Sequence, residues 1–348
     1  MILAGGRGER LWPRARRRRP KPFVPLFGGP SLFQRTAARA RALAGTSRVL
    51  VVCGADQAGW VRRQAPWLPP RAVVREAIGR DTAASVALAA LLLRRERRPG
   101  IMVVLPADQF VAPRPVFAAD VRRAARAAAR EGALALLGMP PTSAATGYGY
   151  VAVGGPAGVP GVRRARGFVE KPDARRAERL VRGGRHLWNC GVFIGAPETF
   201  LRETRRHAPR VLVPLERFAS AARLPWRVPR RALAAVPKVP FDRAVLERTD
   251  RLLVVRGRFR WSDLGTWAAL ADLAEAVPHQ ARAEGIALAD GSAAGCVAFN
   301  PGGLTAFVGV RDVVVVRDGR AVLVCHRSAA QRVRDVVRRL RGRSAAYA

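Results

Sequence analysis

Residues 2 to 10 read I-L-A-G-G-R-G-E-R, a short apolar run that passes without a break into glycines. No other stretch limits the possible fold as much. Gly5, Gly6 and Gly8 carry no Cβ and can take positive φ, so backbone N–H groups there can approach an anion closely. Arg7, Arg10 and Lys21 add cations to the same stretch, the last inside Pro20-Lys21-Pro22 after an arginine run. The pattern predicts a strand and loop that hold phosphates at the C-terminal edge of a sheet. Two commoner phosphate loops are excluded, because no Lys-Ser/Thr follows the glycines and G-x-G-x-x-G is absent. The competing reading is an ordinary glycine turn.

Beyond this loop, strand-like and helix-like stretches alternate. Ser31 to Leu43 reads as a helix capped by Ser31 and stopped by Gly45, and Arg48 to Cys53 as a buried strand. A helix from Ala55 to Ala65 and a short strand near Ala72 to Arg75 follow. Glu76 to Ala84 opens an apolar helix ending at Leu93, for which Asp81 or Thr82 is the natural cap. Ile101 to Leu105 is a second buried strand, and Asp108 lies just past it, where an open α/β sheet binds ligands. Asp108 could instead cap the next helix, Pro115 to Glu131. This alternation predicts an α/β fold, a Rossmann-like, mainly parallel sheet flanked by helices. After Leu270 the texture changes to short valine-rich strands, Asp312 to Arg317 and Ala321 to Cys325, joined by the hairpin signal Asp318-Gly319. A basic helix from Gln331 to Arg341 closes the pattern.

Charge separates two classes of function. The formal net charge is +37 and only three cations, Lys21, Lys171 and Lys238, are lysines. The arginines are spread along the whole chain and aromatics make up 7%, too few for a base-stacking platform. A solvated, arginine-biased surface is favoured over a nucleic-acid binder. Cys53, Cys190, Cys296 and Cys325 lie far apart with no C-x-x-C pair, which excludes a zinc site or disulfide framework and points to a reducing cytoplasm. No membrane span is expected, since the longest uncharged stretch, Gly291 to Val310, is broken by Ser292, Asn300, Pro301 and glycines.

At least six ordered motifs carry a family resemblance. Leu3 to Lys21 resembles the signature of sugar-1-phosphate nucleotidyltransferases, L-A-G-G-x-G-x-R-L then P-K, and Leu11-Trp12-Pro13 resembles the mannose-1-phosphate guanylyltransferase branch. In that family the first strand carries several residues before the position of Ile2. Glu76 to Ala84 resembles E-P-x-x-R-N-T-A-P-A, a loop at the nucleotide base, with Asp81 in place of Asn. Pro106-Ala107-Asp108-Gln109 resembles L-P-[SA]-D-H, whose Asp binds Mg²⁺. Residues 146–150, 168–172 and 188–191 match T-G-Y-G-Y, F-V-E-K-P and W-N-S-G, with Cys190 for Ser, the last motif read as preceding a strand from Val192 to Gly195. Pro237 to Asp250 resembles P-x-S-I-D-Y-A-V-M-E-K-T-D, and Trp261 to Gly265 resembles W-S-D-V-G, whose Asp is a second metal ligand.

The resemblance implies transfer of GMP from GTP to α-mannose 1-phosphate, giving GDP-mannose and pyrophosphate. It implies nucleotide binding by Leu3, Ala4, Gly5, Gly6, Gly8, Glu76, Arg80, Asp81 and Thr82, with Asp81 or Glu76 as acceptor for guanine. Arg10 and Lys21 would bind the departing pyrophosphate. Gly147, Glu170, Lys171 and Asn189 would hold the sugar phosphate, Lys171 on the phosphate and Glu170 and Asn189 on hydroxyls. Asp108 and Asp263 would be catalytic through Mg²⁺ or Mn²⁺. Residues 1–270 would form the catalytic domain and 271–348 a small β-helix-like domain that makes a homodimer. Partners are then GTP, a hexose 1-phosphate and a second copy, with no membrane and no specific nucleic acid. Another sugar or NTP, such as glucose 1-phosphate or UTP, an arginine-rich nucleic-acid binder and a non-catalytic homologue remain as alternatives. Two local expectations come from the residues alone. Glu170 and Lys171, neighbours on a strand, should face opposite ways and not pair. Asp242 should cap a helix.

Overall fold

The computed structural model describes the chain apart from residues 7, 97–99, 222–226, 277–285, 290–292 and 344–348, so Arg7 lies outside the described residues. In chain order come β1 (Ile2–Ala4), α1 (Leu32–Ala44), β2 (Val51–Gly54), α2 (Ala58–Gln64), β3 (Val73–Glu76), α3 (Asp81–Arg95) and β4 (Met102–Pro106). Next are β5 (Phe110–Ala112), α4 (Arg114–Glu131), β6 (Leu134–Met139), β7 (Tyr150–Pro156), β8 (Val162–Val169), α5 (Ala174–Arg182) and β9 (His186–Gly195). Then α6 (Pro197–His207), α7 (Pro209–Ala221), β10 (Arg227–Val228), α8 (Arg230–Ala234), β11 (Leu252–Arg256), β12 (Arg260–Ser262) and α9 (Trp267–Ala276) follow. The chain continues through β13 (Ile286–Ala289), β14 (Val297–Phe299), β15 (Leu304–Phe307), β16 (Val313–Asp318), β17 (Ala321–His326) and α10 (Val333–Arg343). Contacts divide the chain into two units, one of Met1–Gly5, Ala37–Pro106 and Val111–Trp261, the other of Gly6–Thr36, Ala107–Phe110 and Ser262–Ala348.

The first unit is built on a ten-stranded sheet in the order β10-β3-β2-β1-β4-β9-β6-β11-β8-β7. From β10 to β4 every pair is parallel, the arrangement that strand–helix alternation predicts. β9 runs antiparallel to β4 and β6, and β8 to β11, so the whole sheet is mixed. β1 lies between β2 and β4 with Leu3 opposite Pro106, so the chain leaves the sheet at neighbouring strand ends just before the glycine loop and just before Asp108. α3 is apolar nearly all round and buries every residue from Ala83 to Leu92, as a helix in the middle of a core must. Val52, Val74, Leu88, Leu136, Phe193, Phe200 and Phe241 belong to that core.

Three local expectations change. Neither Asp81 nor Thr82 caps α3: Asp81 takes φ 66°, its Oδ1 accepts from Thr82 N–H at 2.8 Å, and Thr82 Oγ1 accepts instead from Phe241 N–H at 2.8 Å. Asp242 does not cap a helix with its side chain either. It opens a π-helical turn closed by Glu247 N–H on Asp242 O at 2.9 Å, while its carboxylate is engaged elsewhere. The W-N-C-G motif does not precede a strand but lies inside β9.

In the second unit Ser31 and Gln34 form a reciprocal cap at the start of α1: Gln34 N–H donates to Ser31 Oγ at 3.2 Å and Ser31 N–H to Gln34 Oε1 at 2.9 Å. Asp108 does not cap α4, whose cap position is Pro113. In the tail, β13 pairs in parallel with β15 and β14 with β16, each strand meeting one two strands later. That is the local geometry of a coiled β-helix and not of a meander. β16 and β17 form the predicted hairpin, Asp318 opposite Ala321 with Gly319 at φ 59°. Trp267 is fully buried on Phe299, centroids 5.0 Å apart, and its Nε1–H donates to Trp12 O at 2.8 Å. Among the described residues no helix is long and apolar enough to cross a membrane.

Candidate active site

Three sequence-selected residues of the second unit, Lys21, Asp108 and Asp263, meet at one ammonium group. Lys21 opens a short helical turn after Pro20 and is only 5% exposed. Its Nζ donates to Asp108 Oδ2 at 3.0 Å and to the backbone carbonyl of Asp263 at 2.5 Å. Asp263 Oδ1 accepts from Gly265 N–H at 3.1 Å, with Leu264 between them in the left-handed region at φ 50°. Gly8 shows why the loop needs glycine. It takes φ 66°, and a Cβ placed there would lie 2.2 Å from Lys21 Cβ. At Gly6 an added Cβ would sit 3.6 Å from Asp108 Oδ2, an ordinary contact. Arg10 points elsewhere: its Nη1 donates to Gln331 Oε1 at 2.8 Å, and neighbouring Glu9 pairs with Arg341. Arg16 and Arg19 of the basic run pair with Asp318 at 3.0 and 3.2 Å.

The first unit holds the remaining candidates. Leu3 and Ala4 are in β1 and Gly5 is exposed at its end. At the end of β3, Glu76 is 7% exposed and Ser85 Oγ donates to its Oε1 at 2.9 Å. Burial pushes its carboxyl up to about 7, against the opposing pull of Ser85. The Arg80 guanidinium donates to the carbonyls of Leu233 and Ala234 at 2.8 and 2.9 Å, which ties the loop from Glu76 to Thr82 to α8.

A second cluster surrounds Glu170. β8 ends at Val169, and Lys171 takes φ 47°, so the strand alternation that would separate Glu170 and Lys171 no longer operates. The two side chains form an ion pair, contrary to the expectation from strand geometry. Glu170 N–H donates to Glu247 Oε1 at 2.7 Å. Asn189 lies in β9; its Nδ2 donates to Asp242 Oδ1 at 2.6 Å and its Oδ1 accepts from Gly191 N–H at 2.9 Å. Burial and the charge of Glu170 raise the Asp242 carboxyl to about 7, opposed by Lys171 and Asn189.

The glycine that makes room here is Gly149. A Cβ there would lie 2.6 Å from both Glu170 Oε2 and Phe168 Cζ, whereas Gly147 faces open space. Tyr148 between them packs edge-on against Trp188 and Trp261, centroids 5.0 and 5.2 Å away. Cys190 is buried, its Sγ donates to Leu137 O at 3.1 Å, and burial pushes its thiol up to about 12, as it does that of Cys53. Neither thiol is a nucleophile at neutral pH.

Residues 1–280 match the Nucleotidyl transferase family model, and residues 292–340 match a MannoseP isomerase/GMP-like beta-helix domain. The chain belongs to the nucleotidyltransferase family. Curated relatives include the alginate biosynthesis protein AlgA of Pseudomonas aeruginosa, 34% identical over 353 residues that cover 99% of this chain and 73% of that one. A mannose-1-phosphate guanylyltransferase of Klebsiella pneumoniae is 34% identical over 346 residues, covering 97% of this chain and 72% of its own. Among solved structures, that described as mannose-1-phosphate geranyltransferase from Thermus thermophilus superposes with a TM-score of 0.86, at 36% identity and 98% coverage of both chains.

For this nucleotidyltransferase, sequence reading missed Asp242 as the partner of Asn189. A signal existed: an acid stands in the mostly apolar frame V-P-F-D-R-A-V-L.

Proposed function

We propose that this nucleotidyltransferase transfers GMP from GTP to α-mannose 1-phosphate and releases pyrophosphate. The observation that carries the reading is the Lys21 ammonium lodged between Asp108 and Asp263 beside Gly6 and Gly8. A buried lysine flanked by two carboxylate-bearing turns and a glycine loop suits a reaction that gathers several phosphate charges. The names of the relatives supply the sugar and the base. No covalent protein nucleophile is needed, since a sugar phosphate oxygen is already ionised at neutral pH, and the buried thiols do not offer one. Catalysis is alignment and charge neutralisation. In this reading Gly5, Gly6 and Gly8 present backbone N–H groups to the nucleotide phosphates, Lys21 takes the departing pyrophosphate, and Arg10 joins it only by releasing Gln331. Glu76 or Asp81 accepts from guanine, with Leu3, Ala4, Arg80 and Thr82 shaping the nucleotide site. Lys171 binds the sugar phosphate, and Glu170, Asn189 and Gly147 meet the sugar.

The residues fit Mg²⁺ or Mn²⁺. The Asp108 carboxylate and the Asp263 carbonyl already hold one cation, the lysine ammonium. Among the described residues no cluster of three or more His, Cys, Asp or Glu exists; Mg²⁺ needs only one or two carboxylates when phosphate and water complete its octahedron. Asp108 and Asp263 would hold it, and it would supply Lewis-acid polarisation of the α-phosphate. A homodimer through the tail is part of the same proposal. It is supported by the exposed large apolar side chains among the described residues, Leu304, Val308, Val310, Val322, Val324 and Val336, all in the C-terminal segment. Sedimentation at micromolar concentration tests it, and an active monomer would contradict it.

The decisive assay is pyrophosphate release over four NTPs and several hexose 1-phosphates. GTP with mannose 1-phosphate should give the highest kcat/KM. A higher value for another pair reassigns the substrate, and no turnover with any pair removes the reading.

A further inference from the structure

An asparagine side chain on a strand can present either its donor or its acceptor edge, because the two orientations are nearly equal in shape. At Asn189 the surroundings remove that freedom. Gly191 N–H can only donate, so Oδ1 must face it, and the Asp242 carboxylate accepts, so Nδ2 must face it. These two contacts, at 2.9 and 2.6 Å, leave one N–H of Nδ2 and one lone pair of Oδ1 for a further partner. The contact comes from a distant part of the chain, 53 positions away, delivered by the π-helical turn that Asp242 opens. A π turn re-aims one side chain relative to an α-helix. The same turn ends against Glu247, whose Oε1 accepts the backbone N–H of Glu170. One turn thus reaches both Asn189 and the backbone of Glu170, the two residues assigned to sugar hydroxyls.

We propose that Asp242 is a positioning residue for the sugar 1-phosphate: its carboxylate oxygen locks the Asn189 amide so that a fixed N–H is presented to a sugar hydroxyl. This rests on the assignment of Asn189 to the sugar made above. Asp242 touches no reacting atom and acts through Asn189. What it must supply is an acceptor oxygen at Nδ2, and a negative charge is not required.

A double-mutant cycle in sugar-phosphate KM tests this, using the full chain with GTP and mannose 1-phosphate. Asp242→Ala should raise KM for mannose 1-phosphate about tenfold, the scale for losing a hydrogen bond to a charged group, with KM for GTP unchanged. Asp242→Asn, which keeps an acceptor oxygen, should stay within about twofold to threefold of the parent chain on the same scale. In an Asn189→Ala background, Asp242→Ala should add nothing further. An unchanged KM in Asp242→Ala overturns the proposal. So does a full additional loss in the Asn189→Ala background, which would show Asp242 acting on its own. If Asp242→Ala fails to fold by thermal melt, Asp242→Asn decides, and a tenfold loss in that variant rules the positioning role out. An unmutated chain with no turnover of any hexose 1-phosphate removes the functional reading, whereas an active chain indifferent to these variants removes only this inference.

Discussion

Lys21 and Asp108, 87 positions apart, form an ion pair at 3.0 Å, and the same ammonium reaches the backbone carbonyl of Asp263. Lys21 is almost wholly buried while the Asp108 side chain is one-third exposed. The acid is therefore the accessible half of the pair. Asp108→Asn and Asp263→Asn should each lower kcat at least about a hundredfold, the smaller scale for losing one electrostatic stabiliser. Activity should vanish with chelator and return with Mg²⁺ or Mn²⁺. Steady-state kinetics with thermal melts alongside check this. Folded variants near the parental rate, or indifference to chelator, would refute the two-aspartate site.

Gly8 and Gly5 should separate sharply. Alanine at Gly8 must adopt φ 66° and place its Cβ 2.2 Å from Lys21 Cβ, which has no room to move away cheaply. The left-handed conformation alone costs about 1–2 kcal/mol, and relieving the clash must shift Lys21. Gly8→Ala should lower the melting temperature and depress kcat/KM, while Gly5→Ala, with nothing within 4 Å of its added Cβ, should melt as the parent does. Equal melting of the two variants would show that the loop is not held as described.

Glu76 makes stability depend on pH. Burial raises its carboxyl from an ordinary 4.5 to about 7, so between those values the folded chain keeps a proton that the unfolded chain has lost. The folded state then binds more protons, and stability must fall as pH rises through this window, with the loss complete above about 7. At ~1.4 kcal/mol for each pH step across that window, the contribution is at most about 3 to 4 kcal/mol. Glu76→Gln removes it. Melts at pH 5 and pH 8 should show the variant gaining on the parent at the higher pH, and parallel curves would disprove the linkage.

Lys171 is one of three lysines in a chain where arginine supplies nearly every other cation. It pairs with Glu170 from a left-handed backbone position. A planar guanidinium fork and a compact ammonium present their donors to a phosphate differently. Lys171→Arg should weaken use of mannose 1-phosphate by about 1–3 kcal/mol in kcat/KM, with melting unchanged. Unaltered kinetics would assign the lysine to chance.

Periodicity and glycine placement alone determined the strand that runs into Gly5 and Gly6, the alternation of strands and helices that makes part of the sheet parallel, and the Asp318-Gly319 hairpin. These follow from forces within a few residues: alternation of apolar side chains, caps and allowed φ. The family motifs likewise marked Lys21, Asp108 and Asp263 as belonging together. What only the tertiary structure decided is how side chains far apart in sequence satisfy each other. Burying Asp242 requires a donor, and Asn189 supplies one from β9. Burying Glu170 beside Gly149 depends on where β7 and β8 bring their ends. Arg10 meets Gln331, 321 positions away. The ion pair of Glu170 with Lys171 turns on a single positive φ just past a strand end, which residue alternation cannot anticipate. Local rules stop where the strand stops, and from there hydrogen-bond satisfaction and close packing choose the partners.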